Sequence, residues 1–188
     1  TAAVKDPELI EQAAKKFGSQ CIVLSIEAKR KDKGEYEAWI DYGRQPTGIN
    51  VKKWAKSAEN LGAGEIYLSS VDKDGSGEGY ETELIKEIAL NAKIPVIASS
   101  GAGNKDHFSQ VVKEGKADAI SAASVFHYHY FSEFSEGMDG FETTELRMGK
   151  QTDLGNVEFI KEGYGGFHSI QVEPFSIKSI KEFLEKKG

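Results

Sequence analysis

Glu27 ends a short apolar run, Cys21-Ile22-Val23-Leu24-Ser25-Ile26. A carboxylate at the mouth of a core is partly desolvated, which suits general acid/base work; an ion pair with Lys29 or Arg30 is the structural alternative. Asp74 opens Asp74-Gly75-Ser76-Gly77, where an aspartate either moves protons or orients the turn as an Asx-type cap. Two further patches, Ser100-Gly101-Ala102-Gly103 and Ala123-Ser124, share a lack of bulk. Small side chains let backbone N–H groups approach an anion closely. One such patch at a turn only permits an unusual backbone angle, whereas patches on successive strand ends point to a bound phosphate. Ser69 and Ser99, at the ends of two strand patterns, join Asp74, Gly75, Gly101, Ala123 and Ser124 as candidate substrate contacts.

The elements that must position these groups alternate between helix and strand patterns, the mark of β/α units around a parallel sheet. Asp6 reads as an N-cap, Pro7 as the first helical residue, and Leu9, Ile10, Ala13 and Ala14 as an apolar face, with Gly18 closing the helix. The run 21–26 is a strand of the kind buried on both faces, with Cys21 a small buried side chain. Residues 35–41 alternate as a hairpin-like excursion, which leads through Gly43 and Pro46 to a helix over 51–61. Strands follow at 65–71, 96–99 and 119–123, with helices over 80–91, 106–114 and 177–187. Glu65 begins its strand and therefore lies at the end opposite Glu27. Residues 128–174 interrupt the alternation as a long insertion before the last helix, either a surface excursion or a functional lid. The fold class is α/β, the later part of a TIM (β/α)8 barrel, read as one domain over 1–188 whose strand ends converge on one face.

With 188 residues, 39% of them hydrophobic, the chain is long enough for one well-buried domain. The net charge of -6 leaves no global basic field for nucleic acid, and the cluster Lys29, Arg30, Lys31 and Lys33 reads as a solvated loop. A single cysteine forms no internal disulfide, no apolar stretch is long enough for a bilayer, and no signal sequence opens the chain. A cytoplasmic protein fits. His127 and His129 alternate with Phe126, Tyr128 and Tyr130 and lack a nearby third ligand, so packing is preferred to zinc binding. His107 and His168 complete no constellation, and no metal or cofactor is expected.

Several segments together resemble a known family. Among them are Thr1-Ala2-Ala3-Val4, Phe17-Gly18-Ser19-Gln20, Ile26-Glu27-Ala28-Lys29-Arg30, Gly62-Ala63-Gly64-Glu65-Ile66 and Asp72-Lys73-Asp74-Gly75. Thr47-Gly48-Ile49, Gly79-Tyr80, Ala98-Ser99-Ser100-Gly101-Ala102-Gly103 and Ala122-Ala123-Ser124-Val125-Phe126-His127 complete the set. They resemble the cyclase subunit of imidazole glycerol phosphate synthase, HisF, from Thr1 to about His127 and again in the final helix. The resemblance implies a lyase-type cyclisation in histidine biosynthesis. Ammonia from a separate glutaminase subunit would convert a phosphoribulosyl aminoimidazole into imidazole glycerol phosphate and an aminoimidazole carboxamide ribotide. It also implies that Asp74, Gly75, Gly101, Ala123 and Ser124 grip one phosphate, that Thr1 helps to hold the other, and that Glu65 belongs to a charged ammonia gate. Glu27 takes the position of a catalytic aspartate.

Three departures accompany the likeness. Glutamate replaces aspartate at Glu27, Ser100 stands where the family usually has glycine, and the long insertion is unusual. The resemblance also begins after the fourth strand of an expected eight, in a barrel class of roughly 250 residues, so the first barrel half is expected to come from elsewhere. Two other readings stand beside the cyclase. One is a paralogue using glutamine-derived ammonia to aminate or amidinate a nucleotide sugar for surface polysaccharide; the other is a non-catalytic phosphate-binding half-barrel.

Overall fold

A computed structural model describes residues 1–32, 34–135 and 172–187. Helices α1 (Ala2–Lys5) and α2 (Glu8–Phe17) precede β1 (Val23–Asp32), β2 (Glu35–Ile40) and β3 (Gln45–Asn50). Next come α3 (Val51–Asn60), β4 (Glu65–Ser70), α4 (Thr82–Asn91), β5 (Val96–Ser99), α5 (Lys105–Lys113), β6 (Ala119–Ile120), α6 (Ser124–Ser135) and α7 (Ile177–Lys187). The strands form one sheet in the order β3-β2-β1-β4-β5-β6. The pairs β1/β4, β4/β5 and β5/β6 are parallel, while β1/β2 and β2/β3 are antiparallel. This is an α/β fold of the TIM-barrel type whose sheet stays open among the described residues.

The parallel strands are buried with a period of two. Leu24, Ile26, Ile66, Leu68, Val96 and Ala98 face the helices and are buried, while Val23, Ser25, Tyr67, Ser69, Ile97 and Ser99 on the other face are exposed or half-buried. The expected burial of the first strand on both faces is therefore corrected: among the described residues only one face is covered by helices. Cys21 is likewise exposed rather than buried, because it lies in a 3-10 turn (Ser19–Cys21) ahead of the strand.

Three residues of the basic run are not in a loop, and the fourth, Lys33, lies outside the described residues. Lys29, Arg30 and Lys31 belong to β1, which continues past Glu27 into the hairpin with β2. Each charge has a partner in the fold: the Lys29 ammonium lies 4.2 Å from the Trp39 ring centroid, Arg30 pairs with Glu81 at 2.7 Å, and Lys31 approaches Glu37 at 3.7 Å. Long basic side chains cover an apolar surface while keeping their charge near acceptors. The hydrogen bond it donates to Glu81, more than any other cause, holds the Arg30 guanidinium above its ordinary pKa.

The hairpin is longer than expected, because Gln45-Pro46-Thr47-Gly48 pairs as β3. Pro46 sits on an edge strand, where its missing N–H costs no ladder bond. At the first long helix Pro7 takes the N-cap and Glu8 the first turn, one position later than expected. The fourth parallel strand is only Ala119–Ile120. Residues 128–135 of the expected insertion continue helix α6; residues 136–171, His168 among them, lie outside the described residues.

Candidate functional site at the strand ends

Strands β4, β5 and β6 run parallel, so the loops that follow them meet at one end of the sheet. They surround a cavity of about 460 Å³ lined by Glu27, Ser69, Asp74, Gly75, Ser99, Gly101, Ala123 and Ser124, with Ser25, Tyr42, Gly43, Tyr67, Gly77, Ala102 and Ser121 between them. Eight of the candidate residues thus share one space. Thr1 and Glu65 do not line it. Glu65 pairs with Val23 at the start of β4, and Ser69 pairs with Glu27 near its end. Four residues of strand put Glu65 roughly 13 Å from Ser69 along the sheet.

The parallel loops are built backbone against backbone. Gly79 N–H donates to the Gly101 carbonyl at 2.7 Å, and Gly101 has φ 93. A Cβ on Gly101 would fall inside the van der Waals shell of the Gly79 carbonyl oxygen, so only glycine fits. Ser100, with φ 77, adopts the same left-handed region without glycine's freedom. In the preceding loop the Ser76 hydroxyl donates to the Lys73 carbonyl at 2.9 Å and accepts from Glu78 N–H at 3.2 Å. Ser76 therefore closes the turn expected of Asp74, and Asp74 is an exposed residue of the cavity wall. At β6, Ser124 opens helix α6, whose first N–H groups have no partner within the helix and so favour an anion.

An aromatic cluster fixes these loops from beneath. Phe108 meets Tyr80, Phe126 and Phe175 edge-on, with centroids 5.5–6.0 Å apart, each contact worth roughly 0.5–1.5 kcal/mol beyond area burial. The Tyr80 hydroxyl donates to the Ser121 carbonyl at 3.1 Å, and burial raises its pKa.

The antiparallel side is held through side chains instead. Glu27 Oε2 accepts from Gly43 N–H at 2.9 Å, so the carboxylate binds the β2–β3 turn rather than Lys29 or Arg30. Thr1 Oγ1 accepts from Asp41 N–H at 2.9 Å in the same turn, where Asp41, Tyr42 and Gly43 all have positive φ. Inside the cavity the Tyr67 hydroxyl lies 2.8 Å from Ser99 Oγ and 2.9 Å from Ser121 Oγ, bridging β4 to the end of β5 and to the residue after β6. Sequence reading missed Tyr67, Ser121, Tyr42 and Gly43 as cavity residues. Residue parity supplied a signal for the first: Tyr67 is two positions before Ser69, on the same face.

Among the described residues no group of three His, Cys, Asp or Glu is placed to hold a metal ion, and no helix is long and apolar enough to cross a membrane. His127 and His129 lie on α6 with their rings edge-on to Tyr128 and Tyr130.

Residues 1–132 match the family model described as "Histidine biosynthesis protein". The chain belongs to that family. Its members are enzymes of histidine biosynthesis, and the match runs from Thr1 through strands β1 to β6 and the loops that follow β4, β5 and β6.

Proposed function

We propose that the cavity holds a phosphorylated substrate of an ammonia-dependent cyclase, the lyase-type reaction of the imidazole glycerol phosphate synthase cyclase subunit. The observation that carries this reading is the convergence of Glu27 and Asp74 with the small-residue turns Gly75, Gly101 and Ala123-Ser124 in one space. Backbone donors and the α6 N-terminus neutralise a phosphate without a salt bridge. They thereby anchor the substrate beside Glu27 and Asp74, which exchange protons as the imidazole ring closes. Ser69 and Ser99 offer hydroxyls to the remainder of the substrate.

In this reading Thr1 contacts the second phosphate and Glu65, at the far end of β4, faces the entry of ammonia from a glutaminase subunit. An open sheet supplies one side of such a site, and further strands from the same protein or a partner complete the barrel. The test supplies ammonium and the phosphoribulosyl aminoimidazole substrate to the complete assembly. Formation of imidazole glycerol phosphate supports the reading, and absence of turnover in a folded, phosphate-binding assembly refutes it.

Two observations favour a second reading, a paralogue that aminates or amidinates a nucleotide sugar. The Glu27 carboxylate is engaged by Gly43 N–H, and Ser100 carries φ 77 at a position where the family resemblance leads one to expect glycine. Glu27→Asp separates the two: a weakened cyclase gains activity, whereas a paralogue gains none.

A further inference from the structure

His107 lies outside the lining of the strand-end cavity, in the first turn of α5, and touches both glycine loops of the anion grip. Its Nδ1 accepts from Gly103 N–H at 3.1 Å. Its own backbone N–H is capped by Asn104 Oδ1 at 3.1 Å, and the Asn104 amide nitrogen lies 3.4 Å from the ring's Nε2. The same ring packs beneath the neighbouring loop: a Cβ on Gly79 would stand 3.3 Å from His107 Cδ2. Gly79 N–H in turn holds the Gly101 carbonyl. One imidazole thus keys the Gly77–Gly79 turn to the Ser100–Gly103 loop. The Gly103 carbonyl is also taken, by Glu173 N–H at 2.7 Å.

We propose that His107 is a positioning residue that acts as a pH-sensitive key, holding the anion-binding loops in register only while its Nδ1 is an unprotonated acceptor. This rests on the anion-grip reading above. An N–H donor can be met only by an acceptor, and protonated imidazole presents donors on both nitrogens. Protonation therefore sets Nδ1–H against Gly103 N–H and breaks the bond that fixes the loop.

Charged groups face the ring from every side. Asp106 on α5 and Glu173 before α7 favour the charged form, Lys73 in the β4–α4 turn opposes it, and Glu78 shares the adjoining cavity. Burial is the largest influence, and the His107 pKa falls below its ordinary 6.5. A depressed histidine pKa makes the neutral form the one the fold prefers. Its contribution is complete above pH 6.5 and is lost as pH falls through the folded-state value.

The probe is inorganic sulfate, which stays doubly charged across the pH range, followed on the backbone amides of Gly101 and Ser124 in the intact chain. Wild type is expected to bind at pH 8 and to lose about tenfold in affinity as pH falls below 6.5 and through the folded-state value, the scale of one hydrogen bond. His107→Gln keeps an acceptor that does not titrate, so it should bind as wild type does at pH 8 and stay level on acidification. His107→Phe should bind about tenfold more weakly at every pH.

Imidazole 15N shifts in wild type give a check independent of the variants' folding: Nδ1 must be the unprotonated nitrogen, and the opposite tautomer overturns the proposal. Sulfate affinity that rises on acidification, or that follows one pH profile in wild type and both variants, overturns it while leaving the anion grip standing. Failure of wild type to bind at pH 8 overturns both.

Discussion

The two sides of the cavity are built by different means. On the parallel side, the loops after β4 and β5 touch backbone to backbone, with Gly79 N–H on the Gly101 carbonyl. On the antiparallel side, the β2–β3 turn is held by side chains, Glu27 to Gly43 and Thr1 to Asp41. The difference separates binding from chemistry. Where backbone meets backbone, a side chain is an obstruction, so substitution there damages the grip itself. Where a carboxylate meets an amide, its charge can be altered while the hydrogen bond and the fold are kept.

The largest effect that tests this division comes from Gly101→Ala, which places a Cβ against the Gly79 carbonyl at φ 93. Strain and displacement together should cost about 3 kcal/mol in urea unfolding and abolish anion binding. A variant that unfolds and binds like wild type would erase the distinction. Glu27→Gln should keep the Gly43 bond through its amide oxygen and leave binding intact, while cyclisation falls by about 10²-fold or more. Equal loss of binding and turnover would show that Glu27 belongs to the grip instead.

Ser100→Gly relieves the left-handed strain at φ 77 and should raise stability by about 1 kcal/mol; a loss on thermal unfolding would mean the hydroxyl contributes more than the backbone angle costs. Tyr67→Phe deletes a hydroxyl shared by Ser99 and Ser121. Both serines still face the cavity, so the cost should be about 1 kcal/mol or less, with anion affinity unchanged.

Much of the parallel side was legible in the sequence, because a glycine patch after an apolar run reports a turn that needs close approach or positive φ. Gly75, Gly101 and Ser124 were located this way, and the family resemblance strengthened the set. The antiparallel side was harder to read. Lys29-Arg30-Lys31 has the composition of a solvated loop, yet Trp39, Glu81 and Glu37 supply partners from distant segments, and no local pattern encodes that. The β3 segment contains proline and glycine, which lower strand propensity but are tolerated at a sheet edge. Glu27 lines the cavity, but its partner is not readable from the sequence because Gly43 becomes its neighbour only when the hairpin folds back. His107 completes no constellation in the sequence, since its contacts with Gly79 and Gly103 arise from the packing of two loops.

The central claim is that the strand-end cavity is an anion grip. Titrating the chain with glycerol 3-phosphate while following backbone amide shifts tests it most directly. The account predicts saturable shifts at Gly75, Gly101 and Ser124, with Gly18 and Gly62 at the opposite end of the sheet unmoved. Shifts that are absent from those three residues, or no greater there than at Gly18 and Gly62, would contradict it.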